Sequence, residues 1–312
     1  MEVKKNKILV AVDGSNQSLD AVRYVSKMLT PQKTDVVLFN VMRKIKDAFR
    51  DVGTNPAFHS KIANINAWQT TQGIMIQKFM NEARKVLTDE GFSEDSVIIK
   101  IHECDVGVAR DIIRESNNGY RAVVVGRKGL SRLMDIMMGN VAHKLMEKLS
   151  HIPVWIVGGT PWPGKVLLGL DPSEGALRAV DHVGDILGGT NTEVQLLNVL
   201  RTPTMFMPEM EDLPAAQQKE IYDQAKDAID PTFQKATKAL TNAGINQEQI
   251  TKNLITGVSS RAGAIVEEAK RGGCGTIVMG RRGLSKVEEF FMGRVSNKVI
   301  NLARDMAVWL VS

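Results

Sequence analysis

Residues 126–141 read GRKGLSRLMDIMMGNV, and residues 280–295 read GRRGLSKVEEFFMGRV. The two stretches align without a gap, and 8 of their 16 positions are identical. Each stretch follows a short apolar run and ends where a helical pattern begins. A match of this length within one chain indicates an internal repeat, and the extent of that repeat decides the architecture.

The similarity extends through most of the chain. Near the start of each half, KILVAVDGS (residues 7–15) matches KVLLGLDPS (165–173), and near the end VWIV (154–157) matches VWLV (308–311). The alignment offset is 158 residues early and 154 residues late, so the length differences lie in the middle of each half. A repeat of this length is a duplicated domain, because solenoid units span only about 20–50 residues.

Short apolar runs alternate with longer stretches of helical periodicity in both halves. The predicted strands are residues 8–12, 36–41, 97–101, 122–125, 154–157, 166–170, 194–199, 250–255, 277–279 and 308–311. The predicted helices are residues 19–29, 74–87, 109–116, 141–149, 176–187, 215–240, 262–270 and 295–303. Because the strand runs are almost continuously apolar, we expect strands that are buried on both faces. The alternation predicts an α/β protein of two tandem domains, each a five-stranded, mainly parallel, doubly wound sheet with helices on both faces.

The stretch GGTPWPG (residues 158–164) is dense in Gly and Pro and separates the two halves, so we interpret it as a linker. We therefore place the first domain at residues 1–158 and the second at residues 164–312, in agreement with the usual size of a domain. Two long segments after the second strands, residues 43–66 and 201–214, lack clear periodicity. We interpret them as loops or lids.

The composition of the chain excludes several classes of protein. Its 312 residues are 43% hydrophobic and 24% charged, which is typical of a soluble globular protein. The formal net charge is +5, and the basic residues are scattered over amphipathic segments, so no nucleic-acid partner is implied. No apolar run approaches the roughly 20 residues of a membrane span, and no secretory signal precedes the first strand. Cys104 and Cys274 form neither a disulfide framework nor a metal motif, so we expect a cytoplasmic protein without a membrane partner.

Polar and glycine residues follow the predicted strands at equivalent places in both halves. Asp13 and Asp171 follow the first strands, and the fourth strands lead into a Gly-x2-Gly-x9-Gly pattern. In an open parallel sheet, ligands bind at the carboxyl ends of the strands, near the point where the strand order reverses. Glycines that allow positive φ let backbone N–H groups approach an anion, and a helix N-terminus adds partial positive charge. With the Arg and Lys residues beside the glycines, the pattern predicts a phosphate-binding loop in each half, whereas the alternative is that the glycines only make turns.

The glycine patterns and the strand-end aspartates resemble the ATP-binding signature of the universal stress protein family. The resemblance covers nearly the whole chain, apart from the segments after the second strands. It implies a flavodoxin-like fold of the adenine-nucleotide alpha-hydrolase-like type. It also implies binding of an adenine nucleotide, either ATP or AMP or ADP, with or without Mg²⁺.

The resemblance further implies a role for each part of the motif. The aspartate and the valine after the second strand line the adenine and ribose pocket, and the first glycine with the residue before it flanks the nucleoside. The last glycine and the residues after it hold the phosphates. The candidate nucleotide-binding residues are Asp13, Val41, Val125, Gly126, Lys128, Gly129, Gly139, Asn140 and Val141 in the first half, and Asp171, Val199, Met279, Gly280, Arg282, Gly283, Gly293, Arg294, Val295 and Ser296 in the second.

Two positions depart from the family pattern. Directly after the last glycine the family has Ser or Thr, whereas this chain has Asn140 and Arg294. The small hydroxyl residue three positions after that glycine is Ala142 in the first half and Ser296 in the second. An amide or a guanidinium can still donate to phosphate, but a large arginine can also fill the phosphate site. The two sites are therefore predicted to be unequal.

No residue pattern points to catalysis or to a metal site. The sequence has no Gly-x4-Gly-Lys-Ser/Thr motif, and its five histidines are not repeated between the halves. Residues 102–105, His-Glu-Cys-Asp, form a titratable cluster that we interpret as a polar strand end around a packed thiol. The resemblance and the glycine loops predict a nucleotide-dependent regulator of the stress response that acts on an unidentified protein partner. Two alternatives stay open: a slow ATPase or phosphotransferase, and a scaffold with degenerate sites in which Arg294 replaces the phosphate.

The last strand of each half is apolar and contains a tryptophan. An edge strand of this kind favours aggregation unless it is covered or paired. The family resemblance implies that residues 154–157 and 308–311 pair across an approximate twofold axis, which makes the chain an intramolecular pseudo-dimer. A homodimer of the whole chain also stays open. Met205-Phe206-Met207, in a proline-flanked segment, is a candidate lid or partner contact.

Overall fold

A computed structural model describes residues 5–42, 59–129, 138–162, 164–201, 214–283 and 292–312. The strands are β1 (Asn6–Ala11), β2 (Thr34–Met42), β3 (Val97–Glu103), β4 (Ala122–Gly126), β5 (Val154–Val157), β6 (Lys165–Gly169), β7 (Glu193–Arg201), β8 (Ile250–Val258), β9 (Thr276–Gly280) and β10 (Ala307–Val311). The helices are α1 (Asn16–Met28), α2 (His59–Asp89), α3 (Val108–Ser116), α4 (Asn140–Lys148), α5 (Glu174–Leu187), α6 (Ala215–Asn242), α7 (Arg261–Arg271) and α8 (Arg294–Leu302). We call residues up to 162 the first half and residues from 164 the second half.

All ten strands form one sheet in the order β3-β2-β1-β4-β5-β10-β9-β6-β7-β8. Every neighbouring pair is parallel except β5 with β10, which is antiparallel. Each half therefore contributes a five-stranded parallel sheet, and the predicted doubly wound α/β fold is confirmed. In each half the strand order reverses at the first strand, β1 or β6, and its neighbour β4 or β9, which opens a crevice at their carboxyl ends.

Helices cover both faces of the sheet. Helices α1, α2, α5 and α6 pack on one face, and α3, α4, α7 and α8 pack on the other. In α1, the predicted stripe of Leu19, Val22 and Val25 is buried against the sheet, as a helical period of 3.6 residues requires. Because each apolar cluster includes residues of both halves, the core is continuous through the whole chain.

The outer strands differ from the prediction. β3 and β8 were expected to be buried on both faces, but half-buried and exposed positions predominate in both strands, and Ile98 is exposed. The physical reason is their place in the sheet, since β3 and β8 are its two edges and each pairs with only one neighbour. A single run of hydrophobic residues does not reveal whether a strand is central or at an edge.

The halves meet at the antiparallel pair of β5 and β10, so the predicted pairing of the two last strands is confirmed. Trp155 lies opposite Trp309 in this register, and their rings stack with centroids 3.8 Å apart and an interplanar angle of 2°. The indole N–H of Trp155 donates to His182 Nε2 (3.0 Å), and that of Trp309 donates to the Tyr24 hydroxyl (3.0 Å). Both buried indoles therefore have a hydrogen-bond partner, as burial of this side chain requires.

The segment after β2 also differs from the prediction. Helix α2 begins at His59, whereas the sequence suggested a loop through residue 66 and a helix from residue 74. The rest of that loop, residues 43–58, lies outside the described residues, as do residues 202–213 with the candidate contact Met205-Phe206-Met207. None of the described helices combines the length and the hydrophobicity needed to cross a bilayer.

Candidate functional site

Two cavities open at equivalent places, one in each half, where the strand order reverses. The first has a volume of about 560 Å³ and the second about 540 Å³. All nine candidate residues of the first half line the first cavity, and all ten candidates of the second half line the second. The folded chain thus brings together residues that lie more than 120 positions apart in each half, from Asp13 to Val141 and from Asp171 to Ser296.

Each strand-end aspartate is fixed by the serine that begins the next helix. Ser15 is the N-cap of α1, where its hydroxyl accepts from the Ser18 N–H (3.1 Å). The same serine donates to Asp13 Oδ1 through its hydroxyl (2.6 Å) and its backbone N–H (3.1 Å). Ser173 repeats this arrangement at the start of α5 and donates to Asp171 from both groups. The Asp-x-Ser spacing therefore places a carboxylate at the edge of each cavity.

Close packing requires a glycine at four of the six motif positions. None of the six has a positive φ, contrary to the expectation that they serve as left-handed turns. A Cβ on Gly126 would lie 2.9 Å from the Gln17 carbonyl oxygen of α1, and a Cβ on Gly129 would overlap Asp13 Oδ2. The equivalent Cβ atoms on Gly280 and Gly283 meet Gly175 of α5 and Asp171 Oδ2 in the same way. These glycines let the loop lie directly against the first helix and the aspartate.

The last glycine of each motif begins a helix that points its N-terminus at the cavity. Gly139 is the N-cap of α4 and Gly293 is the N-cap of α8, and no side chain of the described residues caps either helix. The first-turn N–H groups of a helix have no partner within the helix, and the helix dipole adds partial positive charge there. Because the first turns of α4 and α8 line the cavities, each cavity has a wall suited to an anion.

A buried asparagine at the end of the second strand carries an unmatched acceptor in each cavity. The Asn40 amide donates to the Val12 carbonyl (2.8 Å), and the Asn198 amide donates to the Leu170 carbonyl (2.7 Å). Both side chains are nearly inaccessible, 4% and 5% exposed, and no described residue donates to either Oδ1 atom. A buried acceptor without a donor is unfavourable by about 1–3 kcal/mol, so each asparagine oxygen is a local cost in the wall of its cavity.

The arginines directly after the first glycines do not reach the cavities. The sequence suggested that they add positive charge to the phosphate loops, but Arg127 and Arg281 are buried, 4% exposed each, and turn toward the opposite half. The next residues, Lys128 and Arg282, do line the cavities. The physical reason is that consecutive side chains leave the end of each strand in different directions.

Sequence reasoning missed several residues that line the cavities. In the first, Trp68, Gln72 and Ile76 of α2 form part of the wall, and their spacing of four residues would have identified one face of a helix. In the second, Arg261 at the start of α7 lies where the first half has Val108. The two cavities therefore differ, since the first has an aromatic wall and the second has more arginine.

The positions that depart from the family pattern also differ in structure. The Ser296 hydroxyl donates to the Gly280 carbonyl (3.0 Å) and so ties the first turn of α8 to the glycine loop. Ala142, at the equivalent place in α4, has no group that can make this bond. Asn140 and Arg294 both line their cavities at the first helical position.

The titratable cluster at residues 102–105 lies outside both cavity walls. Asp105 pairs with Arg114 (2.8 Å), and the His102 ring stacks on Phe39. Burial alone would raise the pKa of the nearby Asp111 carboxyl, but backbone N–H donors from residues 105–107 lower it below its usual range. These contacts agree with a polar strand end. Within the described ranges, no group of three His, Cys, Asp or Glu side chains is placed to hold a metal ion.

Comparison with known proteins gives a consistent result. The family model described as "Universal stress protein family" matches residues 5–158 and again residues 164–309. Universal stress protein YxiE of Bacillus subtilis (strain 168) is 26% identical over 154 residues, which cover 49% of this chain and 98% of that protein.

Two crystal structures resemble the whole chain. A universal stress protein from Archaeoglobus fulgidus DSM 4304 is 17% identical, with 99% of this chain and 98% of that chain covered and a TM-score of 0.63. A protein of unknown function from Pseudomonas aeruginosa PAO1 is 14% identical, with 98% and 92% covered and a TM-score of 0.54. At these identities the likeness establishes the fold.

Proposed function

The chain belongs to the universal stress protein family, and from this premise we propose that it binds an adenine nucleotide, such as ATP, in each of its two cavities. We propose further that nucleotide occupancy regulates an interaction with a protein partner in a stress response. In this function the protein is a nucleotide-dependent regulator, and nucleotide binding in the cavities controls its interaction with the partner.

One observation carries the proposal. In both halves, a strand-end carboxylate, a glycine loop and a helix N-terminus converge on a cavity of about 540–560 Å³. This volume lies within the range of about 300–1,000 Å³ that is usual for small-molecule sites. Each half has hydrogen-bond donors for an anion beside a carboxylate that can accept from hydroxyl groups. This arrangement suits a phosphorylated nucleoside.

The walls of the first cavity fit each part of a nucleotide. Val41 and Trp68 offer apolar and aromatic surface to a base. The Asp13 carboxylate can accept from ribose hydroxyls, while Lys128 and the first turn of α4 can hold the phosphates.

The second cavity fits the same ligand with different groups. Val199 and Met279 are its apolar surface, and Asp171 repeats the carboxylate. Arg282 and Arg294 would hold the phosphates together with the first turn of α8. The negative charge of a bound nucleotide increases with its number of phosphates. The protein can therefore respond to the ratio of ATP to ADP and AMP.

Calorimetric titration of nucleotide-stripped protein with ATP, with and without Mg²⁺, tests the proposal. We expect two binding events, of which Lys128→Gln weakens one and Arg282→Gln weakens the other. Lys144→Gln and Lys298→Gln are matched controls, because these exposed lysines occupy equivalent places on α4 and α8 away from the cavity walls. Absence of heat and of thermal stabilisation at millimolar ATP would overturn the proposal and favour a scaffold with degenerate sites.

A further inference from the structure

The side chains of Arg127 and Arg281 each cross the approximate twofold axis into the opposite half. The Arg127 guanidinium donates to the carbonyl oxygens of Ile300 (2.7 Å) and Ala303 (2.7 Å) at the C-terminal end of α8. The Arg281 guanidinium donates to those of Met146 and Leu149 at the C-terminal end of α4. Each arginine thus leaves its own half and caps the helix that begins at the other half's cavity.

The backbone of each arginine stays in its own half. The Arg127 N–H donates to the Val157 carbonyl (2.8 Å), and its carbonyl accepts from the Gly139 N–H (2.8 Å). Arg281 makes the same two bonds, with Val311 (2.6 Å) and Gly293 (2.8 Å). One residue therefore holds the glycine that begins its own cavity helix and, through its side chain, the far end of the opposite cavity helix.

The chemistry of these contacts makes them strong constraints. The last carbonyl groups of a helix have no partner within it and carry partial negative charge, so a guanidinium fork there satisfies two acceptors and stabilises the dipole. Burial lowers the pKa of Arg127 and that of Arg281 to about 10, and both side chains stay charged at neutral pH. Removing either guanidinium would leave two buried carbonyls without donors.

Helices α4 and α8 are short, so each moves as a rigid unit and a displacement at one end moves the other end. Each has nine residues and is therefore about 13 Å long. Its C-terminal end rests on the opposite half's arginine, and its N-terminal end forms the anion wall of its own cavity. The position of the first-turn N–H groups thus depends on a residue of the other half.

We propose that Arg127 and Arg281 are positioning residues that act across the halves, so that each cavity is held in its binding geometry by the glycine loop of the other. The inference rests on the proposed function in naming nucleotide as the ligand. It predicts that the two cavities are coupled, because a ligand that orders one glycine loop also orders the arginine that supports the opposite helix. Coupling of binding sites is reciprocal and commonly changes affinity by about 5–150-fold.

Hydrogen exchange of the whole protein tests the positioning before any ligand is added. In Arg127→Met, amides of residues 294–302 in the second half are expected to exchange about tenfold faster, with a smaller change in residues 140–148. Arg281→Met is the matched variant and is expected to show the reverse pattern. Arg127→Lys keeps the charge and one donor and is expected to fall between wild type and Arg127→Met. Faster exchange confined to the arginine's own half, or equal in both, overturns the inference.

Titration with ATP, followed by the same exchange, tests the coupling. The ATP concentration that half-protects residues 294–302 is expected to rise about tenfold in Arg127→Met, while that for residues 140–148 rises less. If wild type shows no ATP protection at either helix, the proposed function fails, and the ligand-free exchange still decides whether the arginines position the opposite helices. If Arg127→Met does not fold, Arg127→Lys decides both measurements by the same criteria.

Discussion

At the scale of single residues, the two cavities differ chiefly in charge. Among the described residues, Lys128 is the basic residue that lines the first cavity, whereas Arg261, Arg282 and Arg294 line the second. One guanidinium group can donate two parallel hydrogen bonds to two phosphate oxygens, whereas a lysine ammonium acts as a point charge. The second cavity is therefore better suited to a ligand with more phosphates.

This difference predicts how Arg294→Asn, which copies the first half's Asn140, changes ligand preference. The variant is expected to weaken ATP binding at the second cavity about tenfold and AMP binding much less, because fewer phosphates lose a partner. Titrations followed by the exchange of residues 294–302 separate this cavity from the first. Lys298→Gln on the same helix is the control, and an equal loss for ATP and AMP would contradict the charge argument.

His182 predicts a pH dependence of stability. Its ring accepts from Trp155 in the core, and burial, with Arg121 adding a smaller effect, lowers the pKa of His182 to about 3. In the unfolded chain the His182 side chain has a pKa near 6.5, so it takes up a proton below that pH, whereas in the folded chain it stays neutral. Its contribution to the free energy of unfolding is therefore fully present above pH 6.5 and is lost as the pH falls toward 3.

The variant His182→Gln keeps an acceptor for the indole and removes the titration. Urea unfolding at pH 7 and pH 5 is expected to show a larger loss of stability for wild type than for the variant. The difference is on the order of 1 kcal/mol per pH unit within that window. Equal losses would mean that His182 takes up its proton without unfolding.

At the scale of elements, the glycine loops show how tightly strand and helix approach. A methyl group on Gly126 would strike the backbone of α1, whereas a methyl group on Gly139 meets its neighbours at 3.5 Å, an ordinary contact. Gly126→Ala is therefore expected to destabilise the protein by about 1–3 kcal/mol, and Gly139→Ala by much less. Denaturant unfolding of both variants measures this, and a reversed order would show that the loop yields more easily than the helix start.

The elements also show what the sequence can and cannot predict. The ten strands and eight helices of the described residues follow from apolar runs and helical periodicity, and the duplicated motif with the family resemblance predicts the candidate residues that line the two cavities. The start of α2 at His59 was not predictable in this way, because exposed apolar residues such as Trp68, Ile74 and Met75 blur its polar face. The direction of the Arg127 side chain could not be predicted from the sequence either, because its partners Ile300 and Ala303 lie in the other half.

At the scale of the whole molecule, the sheet and the core make the two halves one structural unit. The strand order passes without a break from β5 to β10, and each apolar cluster contains residues from both halves. Arg127 and Arg281 add a reciprocal exchange of charged hydrogen bonds at the same junction. We therefore expect the halves to unfold together, although each is long enough to be a domain.

Trp155→Ala tests this cooperativity at the centre of the junction. The substitution empties a fully buried position, breaks the stack on Trp309 and removes the donor to His182, so it is expected to lower stability by about 3–5 kcal/mol. Because the lost contacts belong to both halves, amides of β1 and of β6 should lose protection together when exchange is measured in increasing denaturant. Trp155→Phe keeps most of the volume and is expected to be milder. Loss of protection in β1 alone would mean that the two halves are joined by the sheet but stabilised separately.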